Sequence, residues 1–381
     1  MKKIITFVSL AMFCTFQSFS QGIIINNTST GITQIPESAI LTAKQYLHIA
    51  YGHSSHGSQL TDGMTGLIAF MNGKGYTNNL YSWNNGGTGG ALDLHDGAMG
   101  GDVGYYPDWV NNTLAYLGTP NSTTGRGTGV NADVNVIIWS WCGQASGLTE
   151  ATMLSNYLVP MSTLEADYPG IKFVYMTGHL DGSGLTGNLH LRNEQIRNYC
   201  RDNGKILYDF EDIESYNPDG VYFGDRIPND NCDYDSDGNS TLDKNWATDW
   251  QNSHTPGVDW YNCSAAHSQP LNANLKAYAA WWLWVSLAGW SPTTEITNEK
   301  QDSQVISVFP NPSNGKFTIT TNSSSINGIE IFNILGEKVY TIKDSKHETP
   351  NLIDISNFQK GIYFIKIYAG GVKYTEKIVS Q

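Results

Sequence analysis

Charged side chains are scarce. Asp, Glu, Lys and Arg make up 15% of the 381 residues, and the basic ones are scarcer still, 22 against 35 acidic, for a net charge of −13. Nucleic acid and anionic membrane surfaces need a basic face, so neither is an expected partner. A strongly anionic polysaccharide is disfavoured too, unless the site is locally basic. Long hydrophobic runs are also missing. The nearest approach, residues 277–290, reads as a buried helix and not as a membrane span. Cysteine is sparse, with five in all. Cys14 falls in the N-terminal apolar stretch, which leaves Cys142, Cys200, Cys232 and Cys263. Cys232 and Cys263 flank a polar, loop-like segment and are the expected disulfide. Cys142 and Cys200 sit in strand-like and helix-like contexts and read as buried thiols. Four cysteines allow three pairings, which sequence does not separate.

Aromatic residues, by contrast, are plentiful, with 11 Trp and 21 Tyr. Gly, Asn, Ser and Thr are common as well. A neutral-polar, aromatic chain of this kind suits a secreted protein that meets carbohydrate. Residues 1–21 agree with that: Lys2-Lys3, a short apolar run and the small residues near Ser20-Gln21 form a secretory signal.

The chain is organised around residues 46–60. Tyr46 to Tyr51 reads as a buried strand. It runs into Gly52-His-Ser-Ser-His-Gly57, a sharp turn before an amphipathic helix at 60–72. Such a turn at the C-terminal edge of a sheet is where α/β folds place reactive groups. Residues 73–104 read as a long Gly- and Asn-rich loop carrying His95, Asp96 and Asp102. Strands follow at 134–139, 171–176 and 206–210. Helices are expected at 106–117, at 149–168 with a break at Pro160, and at 189–203. Strand, polar Gly-containing segment, helix, repeated, predicts a three-layer α/β fold, mainly parallel strands with helices on both faces.

Residues 215–262 break this rhythm. Within them Asp233, Asp235 and Asp237, followed by Gly238, space carboxylates as a candidate structural calcium loop; the twelfth position is Lys244 and not Glu. The core closes with His267 and a helix at 275–287, in which Trp281, Trp282 and Trp284 read as packing. Residues 291–304 are a polar linker. From 305 onward, alternating strands and turns predict a small all-β sandwich.

That last segment, 305–381, closely resembles the type IX secretion C-terminal sorting domain of Bacteroidota, through Phe309-Pro-Asn-Pro312, Phe332-Asn-Ile-Leu-Gly336 and Gly361-Ile-Tyr-Phe364. The resemblance implies engagement of the type IX machinery, export across the outer membrane, and release or attachment at the cell surface. Residues 22–290 resemble the SGNH (GDSL-like) hydrolases, a flavodoxin-like fold. The likeness rests on the 52–57 turn, on a late His before a long helix, and on the strand–helix order. It implies an ester hydrolase with a serine nucleophile and no required cofactor. His53-Ser-Ser-His-Gly57 fits a divergent His-x-Ser-x-Gly turn with Ser55 as nucleophile, Ser54 as the alternative, and His267 as base. The family's Asp is replaced by Ser264 and its Gly-x-Asn-Asp block is absent. Asp259 is then a candidate third member, or the site is a dyad. Oxyanion candidates are the N–H of Ser55 or His56, Gly101 and Gln144.

Two other readings stay open. His53, His56, His95, Asp96, His179 and Asp181 all fall at strand ends or the adjoining loop, where they could hold a divalent ion for a hydrolase or lyase. A non-catalytic glycan-binding surface protein is the third. The sequence favours a secreted esterase acting on ester-substituted extracellular glycan.

Overall fold

A computed structural model describes residues 22–77, 79–292 and 306–381, apart from 322–325, 334–336, 348–350 and 370–371. The expected signal at 1–21, most of the linker and the end of the Phe332–Gly336 motif lie outside them. The chain divides into two compact units at Ser291 and Pro292.

The first unit is built on a seven-stranded, all-parallel sheet. Its strands are β1 (Ile24–Ile25), β2 (His48–Gly52), β3 (Trp83–Asn84), β4 (Leu92–Asp96), β5 (Val136–Trp139), β6 (Lys172–Met176) and β7 (Ile206–Tyr208), in the order β1-β7-β6-β5-β2-β4-β3. The central strands are apolar on both faces, as a sheet covered on both sides requires. Ile49, Ala50 and Tyr51 of β2 and all four residues of β5 are buried. After β2 the chain moves outward to β3 and β4. It then crosses back over β2 to lay β5 on the other side. The strand order therefore reverses between β2 and β5, and ligand crevices of open α/β sheets lie at such a reversal. Gly52 is the register partner of Trp139, so the turns leaving these two strands emerge side by side.

Two short strands outside this sheet, β8 (Asp233–Tyr234) and β9 (Lys244–Asn245), pair antiparallel. The helices are α1 (Glu37–Tyr46), α2 (Ser58–Gly73), α3 (Asp108–Leu117), α4 (Glu150–Met153), α5 (Val159–Asp167), α6 (Asn188–Asp202), α7 (Phe210–Glu214), α8 (Trp246–Ser253) and α9 (Pro270–Leu287). The reading of 73–104 as loop is corrected here, because it contains β3 and β4. Leu92 and Leu94 alternate with polar residues and are fully buried, and that brief alternation is lost among the neighbouring glycines. Between α4 and α5 runs a π-helical turn, Leu154–Leu158. Pro160 has no N–H for the Asn156 carbonyl, and Trp109 Nε1–H donates to that carbonyl at 3.1 Å.

Helix α9 is buried almost all round; residues 277–285 are apolar and aromatic, as a helix packed on every side requires, while Asn272, Asn274 and Lys276 nearer its start are buried with hydrogen-bond partners. Trp281, Trp282 and Trp284 are packing residues at 0, 7 and 0% exposure. Helix α2 crosses it closely at Gly63, where a Cβ would stand 2.1 Å from the Ala273 carbonyl oxygen. Gly63→Ala is expected to cost about 1–3 kcal/mol by overpacking, measured as a lowered urea midpoint at unchanged slope.

The Cys232–Cys263 disulfide is not formed; all four described cysteines are free thiols. The two sulfurs face different partners. Cys232 lies 3.5 Å from Ser268 Oγ, and Cys263 accepts from Asn274 Nδ2 at 3.4 Å. Titration of the denatured, unreduced protein prepared without residues 1–21 is expected to count all four thiols; a count of two would restore the bridge.

The second unit is all β. One sheet orders β10 (Ile306–Phe309), β11 (Lys316–Thr321) and β14 (Asn351–Asp354). The other orders β13 (Lys338–His347), β12 (Ile326–Asn333), β15 (Gly361–Ala369) and β16 (Val372–Ser380). Alternation sets its two faces: Tyr363, Ile365 and Ile367 are buried, while Ile362 and Phe364 are exposed.

Candidate active site

The turn after β2 is tightly packed. A Cβ on Gly57 would meet Ser140 Oγ at 2.3 Å and the His53 Cβ at 2.4 Å, so the chain passes close to the neighbouring strand end. This directs His56 toward the turn that follows β5. There Cys142 immediately precedes a 3₁₀ turn, Gly143–Gly147, without a capping bond from its side chain. Cys142 Sγ lies 3.4 Å from His56 Nδ1, and His56 Nε2 lies 3.0 Å from Asp230 Oδ2. The three side chains come from three separate loops and form one line: thiol, imidazole, carboxylate.

Electrostatics follow the line. Burial alone would raise the Cys142 thiol. Polar contacts with His56, Ser54 and the Gly143 N–H outweigh it, and the thiol sits below its ordinary 9.0. Burial alone would lower His56; the Asp230 and Cys142 contacts outweigh it, and the imidazole is held above its ordinary value. For Asp230, burial is likewise outweighed by His56 and His179, which keep the carboxylate low. The other thiols go the opposite way, with burial pushing both Cys232 and Cys263 up to about 12. A lowered thiol beside an imidazole, itself oriented by a carboxylate, is the pattern of an activated nucleophile.

Two more histidines sandwich His56. His179 stacks on one face at 3.7 Å and 5°, and His267 on the other at 4.4 Å and 17°. His179 follows β6 and is held by Asn193 of α6, which accepts from Gly178 N–H and donates to its carbonyl. His179 Nδ1 faces the Leu180 carbonyl at 2.8 Å. A carbonyl only accepts, so Nδ1 carries the proton. Nε2 is then a bare lone pair, buried without a partner. Burial keeps this ring below its usual pKa. His267 is exposed and has a left-handed backbone, φ 61°, a strain found more often at functional positions.

The serine candidates are placed differently. Ser54 Oγ donates to Asp102 Oδ2 at 2.8 Å. Ser55 is exposed, and the hydrogen bonds of the described residues include none between its hydroxyl and His267. The structure thus brings His267 to the site but onto the face of His56, without pairing it to serine. Gln144 follows Cys142 and packs on Gly104, with its Oε1 buried and unpaired. Gly101 is exposed with φ 84°. Asp259 accepts from Thr255 N–H within its own loop.

Of the strand-end metal candidates, His56 and His179 are gathered, and Asp230 joins them, with ligand atoms within 4.8 Å of one another. His53 instead pairs with Asp96 at 2.7 Å, His95 meets Tyr116 Oη, and Asp181 binds Ser183. A second cluster, His48, Asp93 and Asp133, lies at the opposite end of the strands. Asp233, Asp235 and Asp237 do not form such a cluster among the described residues. Asp235 accepts four backbone N–H groups, from Asp237 to Ser240, and Asp233 accepts from Asn231 and Asn245. Sequence reasoning missed Cys142 and Asp230. For Cys142 the signal was there, a cysteine at the end of a strong central strand.

Residues 307–381 match the family described as secretion system C-terminal sorting domain. The second unit carries the type IX sorting signal. The protein is therefore exported, to the outer surface or beyond it, and no helix of the described residues is long and apolar enough to cross a membrane. An 88-residue stretch is 31% identical to an ulvan lyase of Nonlabens ulvanivorans, covering 23% of this chain and 16% of that protein. Among solved structures, an endo-beta-1,4-mannanase double mutant of Cellulomonas fimi is 8% identical over 77% of this chain and 55% of its own, at a TM-score of 0.20. The mannanase of Thermotoga petrophila is 9% identical over 88% and 64%, at 0.20. At these scores the likeness carries no argument.

Proposed function

We propose that the first unit is a secreted hydrolase that cleaves esters on extracellular glycan by acyl transfer, with Cys142 as nucleophile. One observation carries this reading: the thiol, imidazole and carboxylate of Cys142, His56 and Asp230 stand in line at the strand-order reversal. Cys142 Sγ attacks the acyl carbon while His56 takes up the thiol proton. The oxyanion of the tetrahedral intermediate collapses, and His56 returns that proton to the leaving alcohol. Water then attacks the thioester with His56 as base, releasing the acid and the free thiol. Asp230 holds His56 in place and favours its protonated form. The glycan setting is supported by export, by the polar-aromatic composition and by the limited likeness to an ulvan lyase. The SGNH resemblance supports the reaction class but not the nucleophile's position: its serine place, Ser55, is in the turn after β2, and Cys142 is in the neighbouring turn after β5. The test is inactivation of ester release from acetylated polysaccharide and aryl acetate. Iodoacetamide should inactivate and label Cys142, and a fluorophosphonate should not. Fluorophosphonate labelling of Ser55 or Ser54 would return the nucleophile to serine.

A second reading, a metal-dependent hydrolase or lyase, is favoured by the buried, unpaired Nε2 of His179 facing His56 and Asp230. Stoichiometric zinc that is lost in His179→Ala would select it.

A further inference from the structure

Behind the site lies a buried ion pair. Lys276 of α9 is 0% exposed and its Nζ is 2.6 Å from Glu214 Oε2, itself 1% exposed at the end of α7. Burying two charges is costly unless each is fully engaged, and here each spare bond runs to a loop of the site. Glu214 Oε1 accepts the N–H of Leu180, the residue after His179. Lys276 Nζ donates to Gln59 Oε1, and Gln59 lies three residues after His56 on the first turn of α2. Gln59 Nε2 donates to the carbonyl of Ala266, the residue before His267. Asn272, also buried, lies 3.4 Å from Glu214 Oε2 and donates to Ser268 Oγ, just after His267. The Phe210 ring closes the remaining side, 3.6 Å from Nζ.

Each of the three stacked histidines is thus one to three residues from a group bonded to Lys276, Glu214 or Gln59. A stack with 3.7 and 4.4 Å ring spacings needs its three loops held in fixed relative positions. The histidine rings contact one another but are not hydrogen-bonded together. The buried pair supplies the common anchor.

We propose that the Lys276–Glu214 pair, acting through Gln59, is the positioning centre of this site, setting the turns of His56, His179 and His267 relative to one another. The proposal rests on the hydrolase reading for its kinetic consequence but not for its structural one. Neither charge touches substrate; both act through the histidines.

The test is the double variant Lys276→Met/Glu214→Leu. Buried ion pairs replaced by apolar residues of similar volume often keep their stability, so the fold should survive while the Leu180 and Gln59 ties are lost. The expected result is a folded protein whose kcat on aryl acetate falls by about 10²-fold at nearly constant KM. Its histidine ring ¹⁵N resonances should move, and Cys142 alkylation should titrate at higher pH. Gln59→Met removes both the Lys276–Gln59 bond and the tie to Ala266 while leaving the Lys276–Glu214 pair and the Leu180 tie in place, and should shift the His267 resonances and lower kcat by a smaller factor. Unchanged ring resonances in both variants would overturn the proposal, whatever the activity. Should wild-type protein hydrolyse no ester, the hydrolase reading fails, while the resonances still decide whether the pair positions the stack. Lost stability in the double variant with wild-type resonances and kcat in Gln59→Met would make the pair purely structural.

Discussion

Cys142→Ala is expected to lower kcat/KM for ester hydrolysis by about 10³-fold or more, with the urea midpoint nearly unchanged. The thiol is half-buried at a turn and is not core, so its loss leaves little cavity. What the variant loses is the atom that forms the bond. Cys142→Ser is the sharper control. A hydroxyl in place of the sulfur that lies 3.4 Å from His56 keeps a polar group at the same turn but has a far higher intrinsic pKa than a thiol, so the serine variant is expected to remain strongly impaired. Near-wild-type activity in Cys142→Ala would move the nucleophile elsewhere, with the adjoining Ser54 the next candidate. Initial rates on aryl acetate, alongside circular dichroism, are the measurement.

The second large effect is on pH dependence. The thiolate is the reactive form, and the wild-type thiol titrates below 9.0. Alkylation of Cys142 should therefore rise with pH along a curve whose midpoint lies below that of an ordinary thiol. In His56→Gln, burial still pushes the thiol up, while the imidazole that most strongly opposes it is gone. The curve then moves to higher pH, and the rate at neutrality drops about tenfold for every pH unit the curve travels. Asp230→Asn should act in the same direction through His56, whose pKa falls when the carboxylate is lost. A His56→Gln curve that overlays wild type would separate the thiol from the imidazole.

Much of this was legible in the sequence, for physical reasons. Val136-Ile-Ile-Trp139 and Phe173-Val-Tyr-Met176 are apolar runs of strand length between polar turns, and a doubly covered parallel sheet demands that. The alternation in 361–367 fixed an exposed and a buried face. The Gly52–Gly57 turn declared itself because two glycines bracket polar residues after a buried strand. What sequence could not supply was the pairing across loops. His56 and Asp230 are 174 residues apart, and Asp230 is one of many acids in its segment; only the folded loop selects it. Cys142 reads as a core residue until the register of β2 and β5 puts its turn beside the 52–57 turn. His267 lay in the right place, but its ring stacks where a hydrogen bond to serine was expected. The Cys232–Cys263 expectation failed because closeness along a loop says nothing of where each sulfur points.

The central claim is that Cys142 carries the acyl group during turnover. Protein mixed with excess aryl acetate and quenched in acid within the first turnovers, then digested and mapped by mass spectrometry, tests it directly. The account predicts an acetyl adduct on the Cys142 peptide, labile to hydroxylamine and absent in Cys142→Ala. An adduct on Ser55 or Ser54, or turnover with no adduct and a requirement for bound metal, would contradict it.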